Sequence, residues 1–233
     1  MWIALPLPLF FMSLAFLLRA EVHTPRDARQ IKIWKPLCTG LLVLICIHSL
    51  TRPADAHDSR YTLLITVGLV FSWAGDILLI FQANPRAFLA GLVAFLSAHM
   101  VYIAAFIYMQ LSLEHMGQIE VESLAAMGLA LLGSIVYRYL RPGLGKLRLP
   151  VLFYILAISV MVHRALVVAW APASTTTFSA LVLGGAVLFY LSDAILAINK
   201  FRFGGQRSNY RTWNLATYYI GQLLIALSAS FLT

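Results

Sequence analysis

The chain has 233 residues, of which 61% are apolar and only 11% charged, with a formal net charge of +8. So little charge excludes an ordinary soluble domain of this length, and apolar runs of helical length exclude an outer-membrane barrel, whose strands alternate over ~10 residues. The only two cysteines, Cys38 and Cys46, share one apolar segment, so neither a disulfide framework nor a paired-Cys metal motif is expected.

A bilayer takes ~20 apolar residues per helix, because lipid leaves backbone groups to satisfy one another internally. That rule predicts an all-α, polytopic membrane bundle of about eight helices, at 1–18, 31–50, 61–82, 86–109, 121–140, 149–170, 177–198 and 213–232. The first segment lacks a preceding basic region and a small-residue cleavage site, and reads as a retained helix rather than a signal peptide. The apolar part of the second starts at residue 36. Pro36 and Pro150 mark helix starts, where a missing N–H costs nothing. No long linker or low-complexity tract interrupts the chain, so residues 1–233 form one membrane domain.

Basic residues cluster in alternate loops. Arg19, Arg26, Arg29, Lys32, Lys35, Arg86, Arg141, Lys146, Arg148, Lys200, Arg202, Arg207 and Arg211 fall in the odd-numbered loops, against Arg52 and Arg60 in the even ones. The positive-inside rule then puts the odd loops in the cytoplasm and both termini on the other side. Membrane orientation accounts for the positive charge, and no nucleic-acid partner is expected. Compact loops fit a bacterial inner membrane, with the endoplasmic reticulum membrane as the alternative.

An internal echo follows. Gly75-Asp76-Ile77-Leu78-Leu79 resembles Ser192-Asp193-Ala194-Ile195-Leu196, and each is preceded by a basic residue near a helix-starting proline. Two parallel four-helix repeats about the membrane normal would bring like helices together.

Of nine acidic residues, only Asp76 and Asp193 lie well inside apolar helices. A carboxylate in a membrane interior costs several kcal/mol unless paired, protonated or wetted, so each is a functional candidate. Both are six residues from a polar helix end, at Gln82 and Asn199, and so about 9 Å from the cytoplasmic surface of their helices. Facing carboxylates in a poorly solvated cavity cannot both ionise easily, which suits a general acid and base pair. The bland reading is a pair of interhelical hydrogen-bonding groups worth ~1 kcal/mol each.

Ser72, Tyr154, Tyr190, Ser192, Asn214, Tyr218, Tyr219 and Gln222 fall at the same depth, and all of these but Tyr219 are, with Lys35, the candidate substrate-binding residues; Tyr218 and Gln222 are four apart on one helical face. Tyrosines at this level are more commonly interfacial belt residues. His48, His99, His163 and Arg164 also lie inside helices, but none has the i, i+4 spacing of a zinc helix, so a bridging or structural role is expected and no metal.

Several stretches together resemble the lysoplasmalogenase, or YhhN-type, membrane proteins. They are Lys35-Pro36-Leu37, Phe71 through Leu79, Phe88 through Tyr102 with Ser97-Ala98-His99, Tyr190-Leu191-Ser192-Asp193-Ala194-Ile195-Leu196-Ala197 and Tyr218-Tyr219-Ile220-Gly221-Gln222. They run in the family's order over most of the chain. The His163-Arg164 pair and the long basic loop after the first helix are less typical, and nothing is carried over to them. The resemblance implies cleavage of the vinyl ether bond of a lysoplasmalogen, a lysophospholipid, to a fatty aldehyde and a glycerophospho-headgroup. It also implies that the family's acidic positions are Asp76 and Asp193.

The chemistry agrees with the residues. Vinyl ether hydrolysis needs a proton donor for the β-carbon, an anion beside the resulting cation and a base for water. A carboxyl and a carboxylate supply all three with no cofactor. Lys35, at the cytoplasmic entrance, would attract the lipid phosphate. Two rival readings use the same aspartates. A proton-coupled transporter fits buried carboxylates and an internal repeat. An intramembrane aspartyl protease fits less well, because Trp73-Ala74-Gly75-Asp76 lacks the first glycine of the Gly-x-Gly-Asp signature.

Overall fold

A computed structural model describes residues 6–22, 27–51, 57–113 and 119–231. Among them are eight α-helices: α1 Pro6–Val22, α2 Ala28–His48, α3 Ser59–Ile80, α4 Pro85–Ser112, α5 Ile119–Leu140, α6 Arg148–Ala169, α7 Thr176–Phe203 and α8 Ser208–Ser228. No strand occurs among the described residues. Helices α2 to α7 are each long and apolar enough to cross a bilayer. The first five residues of the helix expected at 1–18 lie outside the described residues. Helix α8 opens on the polar turn Ser208-Asn209-Tyr210-Arg211, which lowers its mean hydropathy.

The helix starts have local causes. Asp27 accepts from the backbone N–H groups of Arg29 and Gln30, Asp58 from that of Tyr61, Asn84 from that of Arg86 and Thr175 from that of Phe178. Each satisfies donors that a first helical turn leaves without partners. Pro150 sits in the first turn of α6, as expected. Pro36 does not start its helix: Asp27 caps α2 nine residues earlier, and Pro36 lies inside it. The amphipathic Lys32 and Lys35 can enter the helix because their stems lie along it while the ammonium groups reach polar surroundings. Helix α7 also runs past the expected 198, through Lys200 and Arg202, and ends where Gly204 adopts a left-handed φ of 63°. Helix α8 begins at 208 rather than 213, directly after that turn.

Sequential neighbours pack on each other within each half, α1 to α4 and α5 to α8. Across the halves, α4 packs on α6 and α8 packs on α2. These two contacts exchange when the halves are exchanged, but α8 also packs on α1 and α3, and the α1–α8 contact has no counterpart of its size between α5 and α4, so the likeness of the halves is partial. Helix α5 is the outlier, with only Gly133 and Leu140 buried.

Glycine sets the closest approaches. A Cβ on Gly75 would stand 2.6 Å from the Phe95 ring, so the residue before Asp76 is what lets α4 close on α3. Gly185 and Gly221 do the same for α7 and α8, each Cβ position falling within 2.9 Å of the other's carbonyl oxygen. Small residues are how membrane helices approach without a hydrophobic driving force.

Candidate active site

The two interior aspartates are held by equivalent elements of the two halves. Asp76 on α3 is 1% exposed and takes its partners from α2 and α8. Asp193 on α7 takes its partners from α6 and α4.

Around Asp76, Oδ1 lies 3.3 Å from Lys35 Nζ. Its Oδ2 accepts from Thr39 Oγ1, from Tyr218 Oη at 2.9 Å and from Tyr219 Oη at 3.4 Å. Tyr219 also donates to the Lys35 carbonyl at 3.1 Å. The carboxylate is therefore saturated with donors, one of them a cation, and the cluster clamps α2, α3 and α8 together.

Asp193 is built differently. Tyr154 Oη donates to Oδ2 at 2.6 Å, and His99 Nε2 stands 3.6 Å from the same oxygen. Its Oδ1 takes no described contact, and the side chain keeps 12% exposure. Asp193 lines a cavity walled by α3 to α7. Apart from Asp193, Tyr154, Tyr190 and Lys200 the wall is hydrocarbon, including Leu79, Phe95, Ile158 and Ala197. A cleft of that polarity suits a hydrocarbon chain with one reacting polar group.

The two aspartates keep separate partners. Between the two clusters stand Phe189 and Phe95, with Phe189 4.7 Å from the His99 ring and 5.4 Å from the Tyr218 ring, centroid to centroid. Phe95 lies 5.7 Å from Tyr218.

The remaining candidates fall into three groups. Ser72 accepts from Gln222 Nε2 at 2.9 Å, and Gln222 Oε1 accepts from Tyr102 Oη at 2.8 Å, a buried chain one turn beyond Asp76. Tyr218 and Gln222 thus share a face of α8 but serve different partners. Asn214 Nδ2 donates to both the carbonyl and the Oγ of Ser192 at 2.9 Å, clasping α8 to α7 beside Asp193. Tyr190 lines the apolar cavity.

A second, polar cavity adjoins the first. Glu21, Lys35, Gln82, Asn199, Lys200, Arg211 and Asn214 contribute to it, so the end of α1, the start of α2, the ends of α3 and α7 and the start of α8 meet on one side. That is the arrangement the alternating basic loops require.

Sequence reasoning missed Thr39 and Lys200 and left His99 without a partner. A single hydroxyl in an apolar helix carries no signal, and Lys200 reads as a loop charge until α7 is extended past it. His163 Nε2 contacts the Glu122 carbonyl at 3.0 Å and Arg164 donates to Gln110 at 3.2 Å, both away from the aspartates. Among the described residues, no three His, Cys, Asp or Glu side chains converge as a metal site would need.

A helical bundle with two buried carboxylates, one of them open to an apolar cavity, defines an integral multi-pass membrane protein with an acidic interior site. The YhhN family model matches residues 30–229, and the chain belongs to that family. It is 35% identical to the human protein named Lysoplasmalogenase TMEM86A, over 75% of this chain and 67% of that one. It is 34% identical to the mouse Lysoplasmalogenase TMEM86B, over 93% of this chain and 82% of that one. A Mycobacterium tuberculosis protein named Lysoplasmalogenase is 33% identical over 78% of this chain and 66% of its own length. Against the human and mycobacterial proteins the match spans about two thirds of the relative. No solved structure matches the chain.

Proposed function

We propose that this chain is a membrane-embedded hydrolase that cleaves the vinyl ether bond of lysoplasmalogens, with Asp193 as the proton donor. The carrying observation is that Asp193, on the wall of the apolar cavity, has an uncontacted Oδ1, in a chain whose relatives are named lysoplasmalogenase. Asp76, paired with Lys35, is the carboxylate of the two. Asp193, with a hydroxyl and an imidazole for neighbours, is the carboxylic acid.

In the first step the Asp193 proton passes to the β-carbon of the vinyl ether, and the double-bond electrons form that C–H bond. An oxocarbenium ion results, beside a carboxylate that has just become anionic. Placing the developing cation next to a fixed anion in a dry site is an effective way to lower such a barrier. Water then adds to the α-carbon and gives its proton to Asp193, which restores the acid. The hemiacetal collapses: the C–O bond to glycerol breaks, its oxygen takes a proton, and the hydroxyl becomes the aldehyde carbonyl.

Tyr154, donating to Oδ2, aims the other oxygen and stabilises the carboxylate once the proton has left. Asp76 is a positioning residue that fixes α2 and α8 against α3. We assign the polar cavity to the cytoplasmic side from the positive bias of the odd loops.

The test uses purified protein in detergent or nanodiscs, with a lysoplasmalogen and its saturated alkyl-ether analogue, in deuterated water. The expected result is aldehyde from the first substrate alone, with one deuterium on the carbon beside the carbonyl. Aldehyde without that label, or cleavage of the saturated ether, would rule out protonation at the β-carbon. No product from either would remove the hydrolase reading.

A further inference from the structure

The two cavities meet at one cation. Lys200 lines both, together with Leu79 and Leu196. The charges around the polar cavity can be matched one by one. Lys35 is paired with Asp76 at 3.3 Å. Arg211 is paired with Glu21 at 3.1 Å and also donates to the Gly205 carbonyl at 3.1 Å. Lys200 is left over. Its contacts are the Gln82 carbonyl at 3.4 Å and the face of Phe88, with Nζ 4.7 Å from the ring centroid. Among the described residues no carboxylate pairs with it. A carbonyl and an aromatic face orient an ammonium group but do not neutralise it, and a partly buried charge is expensive without a counter-ion.

Lys200 is also in register with the acid. It follows Asp193 by seven residues on α7, about two turns and ~10 Å along the helix, so the two side chains leave the same face. Both line the apolar cavity. A glycerol backbone joins a phosphate to an ether oxygen, and this face offers a cation for the one and a carboxyl for the other.

We propose that Lys200 is the anchor for the phosphate of a single-chain phospholipid, held where the polar and apolar cavities join. The headgroup then occupies the polar cavity beside Arg211 and Asn214, and the hydrocarbon occupies the apolar one. This rests on the hydrolase reading for the identity of the lipid but not for the site. Lys35, already paired with Asp76, is not the anchor.

Binding of a saturated alkyl-ether lysophospholipid, which carries no vinyl ether, tests the site without turnover. The partner probe is the matching alkylglycerol, which lacks the phosphate. Lys200→Gln is expected to weaken the phospholipid at least tenfold and the alkylglycerol less than twofold, with Lys200→Arg close to the parent. On the unmodified protein, the phospholipid and not the alkylglycerol should shield Lys200 from an amine-reactive acylating reagent, read by mass spectrometry, which serves if Lys200→Gln does not fold. With lysoplasmalogen, Lys200→Gln should raise KM in step with the loss of binding and leave kcat within about threefold.

Unchanged phospholipid binding, equal weakening of both probes, or no shielding would overturn the anchor while leaving aldehyde release as evidence for the hydrolase. Shielding by phospholipid in a protein that releases no aldehyde would uphold the anchor and remove the activity. Inorganic phosphate shielding Lys200 at the concentration where the phospholipid does would identify a free-phosphate site and overturn the lipid assignment.

Discussion

Lys35 and Asp76 form an ion pair 3.3 Å long, with 12% and 2% of their side chains exposed. The pair joins α2 to α3, and three hydroxyls from α2 and α8 complete the carboxylate's shell. Removing one partner of such a pair leaves the other charge stranded, which costs more than the intact pair contributes.

Asp76→Asn should therefore lower stability by about 3–5 kcal/mol, and Lys35→Met added to it should restore most of that loss. Thermal unfolding of the detergent-solubilised protein, followed by size-exclusion chromatography, reads both. Additive losses in the double variant would mean that the two residues do not act as a pair.

The aspartates were legible because a carboxylate is conspicuous in an apolar helix and because helical rise converts position into depth. Rise does not fix azimuth. The expectation that Asp76 and Asp193 form a facing pair rested on depth, whereas Asp76 turns to Lys35, Thr39, Tyr218 and Tyr219, and Asp193 to Tyr154 and His99. The same limit hid Thr39. Tyr218 donates to Asp76, whereas its neighbour on the helical face, Gln222, serves Tyr102 and Ser72. The halves' likeness is visible in Gly75-Asp76 against Ser192-Asp193; the α4–α6 and α8–α2 contacts depend on tertiary packing that the sequence pattern does not encode.

Tyr154→Phe removes the hydroxyl that donates to Asp193 at 2.6 Å while keeping the ring, which packs edge-on against His99. A hydrogen bond to a charged group contributes about 1.5–3 kcal/mol, so kcat should fall roughly ten- to a hundredfold with little change in melting temperature. Steady-state aldehyde release checks this. A parental kcat would mean that Tyr154 does not act on Asp193 during turnover.

Gly185→Val should destabilise the fold strongly, because its Cβ meets the Gly221 carbonyl at 2.8 Å and the Ile225 backbone nitrogen at 3.0 Å. Overpacking of this kind costs about 1–3 kcal/mol or more. Gly128→Ala on α5, with nothing within 4 Å of the added methyl, is the neutral comparison. Equal yields of folded protein from both would contradict the close α7–α8 contact.

Ala197 lines the apolar cavity, and Ala197→Phe should fill part of it. The expected effect is a several-fold rise in KM for a long-chain substrate and a smaller one for a short-chain analogue. A uniform effect on both chain lengths would place the hydrocarbon elsewhere.

The central claim is that Asp193 gives its proton to the substrate. Asp193→Asn keeps the size of the side chain and takes away the acid, so its rate of aldehyde release from lysoplasmalogen, on protein shown to be folded, is the most direct measurement. A fall of at least a thousandfold is predicted, and release at the parental rate would contradict the account.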